Sequence, residues 1–249
     1  MKILKIILAL VLLAVVSYLV DKYWSKNSSD IVVENNENQI VEMCFGSFGQ
    51  PNEVGYYDRY TLRMSIDNEN DTVTGELNFL PAEKDSKVGL FKGTVSEVDK
   101  TMMARTVSAW WDAMAEGTTN KEELSIIFGE GTASIGMGEM EDRGDGVYVY
   151  KNKESINFTG LTLSDISCID LTERESVGDY LRANLSALSA VQPVLGGSWY
   201  MTSYSIDTST NTGSVMYEDG HIQEDANFSY DADVFGNVIN LRFVDGGES

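Results

Sequence analysis

Residues 60–79 read YTLRMSIDNENDTVTGELNF. Tyr60, Leu62, Met64 and Ile66 alternate with Thr61, Arg63 and Ser65. After the polar break Asp67–Asp71 the alternation resumes in Val73, Gly75, Leu77 and Phe79. A period of two places one apolar set on a single face of an extended chain, whereas a helix would scatter it around the axis. Two such runs about an Asx-rich break predict an antiparallel hairpin with one face buried and the other wet.

The same pattern extends outward from this hairpin. Further strands are expected at Val41–Phe48, Gly89–Val95, Leu124–Phe128, Thr132–Met137, Val147–Lys151 and Ile166–Ile169. Gly-rich joints at 129–131 and 144–146 separate some of them. Residues 102–116 are open between two readings. Met103, Val107, Trp110, Trp111 and Met114 recur at helical spacing before Gly117. As a strand, the segment must point Trp110 and Trp111 to opposite faces. Residues 172–190 predict a helix, with Thr172-Glu173-Arg174-Glu175 as a capping box and Val177, Leu181, Leu185 and Leu188 as one apolar stripe. That stripe is expected to pack on a neighbouring sheet.

Pro193 and Gly196-Gly197 end the helical region. A short meander is expected beyond them, with strands at Trp199–Ile206, Ser214–Tyr217, Gln223–Tyr230 and Val238–Phe243 and a hairpin loop at Asp207–Gly213. The run from Tyr200 to Asp207 and then Gly213 echoes the run from Tyr60 to Asp67 and then Gly75, at unequal loop length. The expected fold is mainly β. An antiparallel barrel or closed sandwich spans 41–170, one amphipathic helix with its linker spans 171–195, and a small β-meander spans 196–249.

The 249 residues are 43% hydrophobic, enough for a packed core, and carry a net charge of -21. Residues 25–249 hold 15 basic against 38 acidic side chains. Such a chain repels phosphate backbones and anionic membrane surfaces, so no nucleic-acid partner is expected. A basic protein, a cation or a neutral glycan suits this surface better.

The first 24 residues, MKILKIILALVLLAVVSYLVDKYW, place Lys2 and Lys5 before an apolar run and Lys22, Tyr23 and Trp24 after it. The run ends without the small residues of a cleavage site, so residues 1–24 read as an uncleaved signal anchor with the bulk of the chain outside the cytoplasm. The alternative is a cleaved signal and a secreted or periplasmic protein. Residues 25–40 are polar and Asn/Ser-rich, as in a flexible stalk.

Cys44 and Cys168 are the only cysteines. In an exported chain they can form a disulfide that closes the first domain near its first and last strands. Two buried thiols are the alternative.

Among polar clusters, the loop carrying Asp67, Glu69 and Asp71 offers three carboxylates to a hard cation and is the candidate calcium site. Asp207, Ser209 and Asn211, with Glu218 beyond them, repeat the arrangement less completely. Asx turns explain both loops without metal. No other cofactor is expected. His221, the only histidine, sits in the turn-like Glu218-Asp219-Gly220-His221, a poor context for a nucleophile relay. Glu139, Glu141, Asp142 and Asp145 could supply a pair of hydrolytic carboxylates. The aromatic pairs Tyr56-Tyr57, Trp110-Trp111 and Trp199-Tyr200 suit core packing or the lining of a ligand site.

Several words along the chain occur together in a recognisable order: Val73-Thr74-Gly75; Ala82 to Lys87 with Gly89, Phe91 and Gly93; Ala115-Glu116-Gly117; and Gly136-Met137-Gly138-Glu139. Over roughly residues 44–150 the chain resembles a group of uncharacterised exported, membrane-anchored bacterial β-barrel-like proteins. The resemblance implies a strand before the Ala-Glu-Gly word, which favours the strand reading of 102–116, and it brings no activity with it. This chain lacks the lipobox of the lipid-anchored members. The word Gly197-Ser198-Trp199 resembles the entry of lipocalin-like barrels, though few residues follow it.

No catalytic residue is therefore assigned. The expected function is a binding or interaction module with an acidic extracytoplasmic domain. The alternatives are a carboxylate-dependent envelope hydrolase and a purely structural surface protein.

Overall fold

The computed structural model describes residues 40–49, 57–82 and 84–244. The expected anchor (residues 1–24) and most of the stalk lie outside the described residues. Among the described residues no helix is long and apolar enough to cross a membrane.

The chain is mainly β, and its first part is an eight-stranded antiparallel closed barrel. Seven of its strands run as a meander: β1 (Ile40–Phe48), β2 (Arg59–Asp67), β3 (Thr72–Leu80), β4 (Lys87–Val95), β5 (Arg105–Ala115), β6 (Thr118–Gly129) and β7 (Thr132–Met137). Two short strands follow, β8 (Met140–Asp142) and β9 (Val147–Tyr150), paired to each other beside β6. Then β10 (Asn157–Ile166) enters between β7 and β1 and closes the ring. Closure leaves the barrel strands without free edges.

The hairpin that opened the sequence reading is β2–β3, paired from Asp67↔Thr72 to Arg59↔Leu80. Leu62, Met64, Ile66, Val73 and Leu77 lie inside the barrel at 2% exposure or less. Residues 102–116 contain strand β5, and its two tryptophans take opposite faces: Trp111 is 3% exposed and Trp110 37%. The Trp111 indole N–H donates to the Gly89 carbonyl at 3.0 Å, and its ring meets Phe79 edge-on at 5.4 Å. Helical spacing misleads here because Met103 and Met114 are both exposed and belong to no core stripe.

Glu116-Gly117 joins β5 to β6, and Glu130-Gly131 joins β6 to β7. All four residues have positive φ, the two-residue turn whose twist matches that of the flanking strands. Gly takes the second place in each because it adopts that region without a Cβ penalty.

Two expectations fail at the end of the barrel. Ile166–Ile169 is not a strand. The closing strand is β10, whose register slips between Asn157 and Leu161 and which buries only Leu163. A bulged strand with one buried side chain has lost the alternation that would announce it. The helix does not start at Thr172. It is α1 (Cys168–Leu188), capped by the Ser167 hydroxyl, which accepts from the Ile169 N–H at 3.2 Å. Thr172 lies within the helix and donates its hydroxyl to the Cys168 carbonyl at 2.8 Å. β6 is also longer than Leu124–Phe128, because its first half, Thr118–Glu123, is polar and carries no apolar signal.

Cys44 and Cys168 form a disulfide with Cα atoms 5.1 Å apart, joining β1 to the first residue of α1. The helix then lays Val177, Leu181 and Leu185 on a four-stranded antiparallel sheet made of β11 (Tyr200–Asp207), β12 (Thr212–Glu218), β13 (Gln223–Ala232) and β14 (Val238–Val244). Phe228, Val215 and Leu241 complete this second core. Gly178 lets the helix approach: a Cβ there would lie 2.5 Å from the Tyr204 hydroxyl. Barrel, helix and sheet belong to one compact unit.

The β2–β3 and β11–β12 loops are equal in length, contrary to the spacing read from the glycines. Asp67 pairs with Thr72 and Asp207 with Thr212, which leaves residues 68–71 and 208–211 as the loops. Each ends on a residue of positive φ, Asp71 and Asn211. The carbonyls of these residues accept from the third strand, from Val95 N–H and Tyr230 N–H respectively. The two glycines misled the comparison because Gly75 pairs with Met64 while Gly213 pairs with Ile206.

Several turns are closed by an aspartate that accepts from donors of its own loop, and at five of these the carboxyl is shifted. They are Asp67, Asp99, Asp207, Asp219 and Asp233. Each carboxyl is held below its ordinary value by donors to its ionised form. The leading donors are the Asn70 amide at Asp67, the Thr101 N–H at Asp99, the Ser209 hydroxyl at Asp207, the Ile222 N–H at Asp219 and the Asn237 amide at Asp233. A folded pKa below the unfolded one gives stability that is complete above the unfolded value, near pH 4, and is lost as pH falls through the folded value. The urea midpoint should therefore fall progressively below about pH 4. A midpoint constant from about pH 6 to about pH 2.5 would remove these turns from the acid response.

Candidate functional site

The outward side chains of β2 and β3 face the helix rather than the barrel core. Across the pair stand Arg59 beside Leu80, Thr61 beside Asn78, and Arg63 beside Glu76. Helix α1 passes over this row and β11 flanks it. The three elements enclose a cleft of about 310 Å³. Its walls include Phe48, Tyr57 and Tyr204, three arginines (Arg59, Arg174 and Arg182) and three carboxylates (Glu76, Glu175 and Asp179). The volume lies at the small end of the range for ligand sites, about 300–1,000 Å³.

Arginines concentrate here against the charge of the whole chain. Of seven in the sequence, three line the cleft and Arg63 borders it. Three of these four are paired. Arg63 reaches Glu175 at 3.2 Å and Thr172 at 3.0 Å. Arg174 binds Asp170 at 3.1 Å and lies over the Phe48 ring at 4.7 Å. Arg182 binds Asp179 at 2.7 Å. Arg59 is different: its guanidinium sits 4.6 Å from the Tyr204 ring centroid and 5.7 Å from that of Tyr57. Among the described residues no carboxylate forms an ion pair with it. Burial pushes the Tyr57 hydroxyl up to about 12, with Arg59 opposing the rise, so Tyr57 stays neutral. Burial likewise raises the Glu175 carboxyl, against the pull of Arg63.

Asn78 stands mid-cleft. Its amide nitrogen donates to Glu76 at 3.1 Å and Thr61 at 3.4 Å. A carboxylate only accepts, so the Glu76 bond assigns the nitrogen and leaves the oxygen facing the other way. That oxygen, Oδ1, is buried and has no donor among the described residues. Glu76 itself forms no ion pair among the described residues.

The sequence candidates fall elsewhere. Asp67 Oδ1 accepts from the Glu69 N–H at 3.0 Å and the Asn70 N–H at 3.2 Å, while Asp71 faces Arg105 at 3.8 Å. Among the described residues no group of three His, Cys, Asp or Glu is placed to hold a metal ion. Asp67 thus caps its own turn, and Asp67, Glu69 and Asp71 do not converge there. Glu139 pairs with Lys151, Asp142 accepts from the Gly144 N–H and Asp145 from the Val147 N–H. His221 is exposed in the Asp219 turn. Trp199 is buried and donates its indole N–H to the Val191 carbonyl at 3.1 Å, while the Tyr200 hydroxyl donates to Glu218 at 2.7 Å. Tyr57 is the member of the aromatic pairs that reaches the cleft; Tyr56 lies outside the described residues. Trp110 borders a separate outer groove with Glu123, Tyr150 and Lys153.

Arg59, Arg174 and Tyr204 are separated by more than a hundred residues at the widest, so no local motif announces them. The available signal is the polar alternate set of β2, Arg59, Thr61 and Arg63, which reads as a merely wet face until the helix covers it. Comparison with protein-family models, with curated proteins and with solved structures finds no match to this chain.

Proposed function

We propose that this chain is a binding module that acts without turnover, displayed outside the cytoplasm by its N-terminal segment. The observation that supports this reading most directly is the cleft. Three elements distant in sequence meet there and present an arginine that, among the described residues, has no counter-carboxylate and lies between two tyrosine rings. A guanidinium stacked on aromatic faces is a recognition group, held in place at small entropic cost. The chemistry for turnover is poorly supplied: His221 is outside the cleft, and both cysteines are consumed in a disulfide. An extracytoplasmic placement accords with that disulfide and with the acidic composition.

The test is a thermal-shift survey of small polar metabolites, short peptides and oligosaccharides, beside a hydrolase screen. A ligand that binds the folded state alone raises Tm as its concentration exceeds Kd. Such a shift should disappear in Arg59→Ala while the variant's own far-UV spectrum is retained. Hydrolysis abolished by Glu76→Gln or Glu175→Gln would replace the binding module with the carboxylate-dependent hydrolase.

A further inference from the structure

On the reading that the cleft is a binding site, we infer that it takes a short zwitterionic peptide, with the carboxylate on Arg59 and the ammonium on Glu76. Three of the four arginines at the cleft already hold carboxylates, so among the described residues Arg59, held by Tyr57, is the cleft arginine without an ion pair for an incoming anion to take. Glu76 stands opposite Arg63, but Arg63 is taken by Glu175 and Arg182 by Asp179, so among the described residues Glu76 is the cleft carboxylate that makes no ion pair. This cation and this anion therefore belong to the same cavity and stand at its two ends along one strand pair.

Their separation sets the length of the ligand. Glu76 is opposite Arg63, four residues along β2 from Arg59. At about 3.4 Å per residue this is about 13 Å between backbones, and inward-leaning side chains shorten the gap. An extended chain spans about 3.3–3.6 Å per residue, so about three residues bridge it. A single amino acid is too short to touch both ends. A volume of about 310 Å³ holds little more than a tripeptide inside the cleft itself.

The middle of the cleft supports the same chemistry. Asn78 stands on β3 between the charged ends, beside Thr61, and these polar side chains suit a peptide backbone passing over them. Tyr57, Tyr204 and Phe48 supply apolar faces for the peptide's body. A polyanion is disfavoured, because Glu76, Glu175 and Asp179 share the cavity and the protein carries -21 overall.

Trialanine is the direct probe, titrated calorimetrically into the intact oxidised protein beside its N-acetylated form, its C-amidated form and a neutral trisaccharide. Trialanine should bind, and blocking either terminus should weaken it about tenfold or more, as loss of a charge-assisted bond does. Arg59→Gln should erase the preference for a free carboxylate and Glu76→Gln the preference for a free ammonium, each about tenfold, while Arg242→Gln on exposed β14 changes neither. Because each variant is expected to lose one discrimination and keep the other, a misfolded protein is recognised by losing both. Blocked peptides binding as well as trialanine, or the trisaccharide binding in its place, would overturn the zwitterion and leave the cleft a binding site. No saturable binding by any of the four probes would overturn the inference, and the binding site falls with it only if the thermal-shift survey also finds no ligand.

Discussion

Trp111→Ala should destabilise the protein by about 3–5 kcal/mol, while Trp110→Ala should cost less than about 1 kcal/mol. The two residues are neighbours of identical chemistry, so the contrast isolates the face each occupies. Trp111 is 3% exposed inside the barrel, contacts Phe79 edge-on and has Lys87 5.4 Å from its ring. Truncation leaves a cavity that a closed ring of hydrogen-bonded strands cannot collapse to fill, and it removes the donor from the Gly89 carbonyl. Trp110 is 37% exposed on the outer wall and gives up only partial burial. Urea midpoints of the two variants decide the matter. Equal midpoints would mean that the strand does not divide them between inside and outside. The conservative Trp111→Phe keeps most of the volume and should recover more than half of the loss.

Removing the Cys44–Cys168 disulfide is the second change with a large expected effect. The bridge links residues 124 apart. In the chain-entropy account a loop of that size restricts the unfolded state by about 4–5 kcal/mol, and removing a native disulfide typically costs about 2–5 kcal/mol. For a chain this long each kcal/mol moves Tm by about 2–4 °C, so reduction should lower Tm by roughly 10 °C. The bridge also fastens the first residue of α1 to β1. Its loss should therefore loosen the helix that roofs the cleft before it disturbs the barrel interior. Hydrogen exchange on the reduced protein would show this as faster exchange in 168–188 than in β2 and β3. A reduced protein with unchanged Tm would assign the stability to packing alone.

The parts of the fold that were legible in the sequence are those in which each side chain reports on one face only. In β2, β3 and β7 the alternation is clean, and the strand bounds follow from it. The helix stripe Val177, Leu181 and Leu185 was legible for the same reason. What escaped was set by contacts from outside the segment. β10 carries a bulge and one buried residue, and the first half of β6 is a strand only because β5 pairs with it along its length. The helix begins at Cys168 because the disulfide holds it there and Ser167 caps it, so the box at Thr172 was a plausible sequence in the wrong place. The cleft was the least legible of all. Thr61 and Arg63 are polar on a strand face, which local reading assigns to water, and the covering helix lies over a hundred residues away. In the Asp67 loop, carboxylates close in sequence suggested a cation, whereas the Asp67 carboxylate accepts from the Glu69 and Asn70 N–H groups and Asp71 faces Arg105.

The span between the two cysteines includes every barrel strand from β2 to β10. A protease that cuts once within it, at the exposed bend near Lys100 or at the glycine turn 144–146, separates no fragment from the molecule. Both pieces stay joined through sulfur, and the strands on either side of the cut remain hydrogen-bonded to their neighbours in the ring. Nicked protein should run at full mass on a non-reducing gel and fall into two bands only after a thiol is added. A protein working among extracellular proteases would thus keep its barrel, its helix and the cleft between them through damage that would dismantle an unbridged chain.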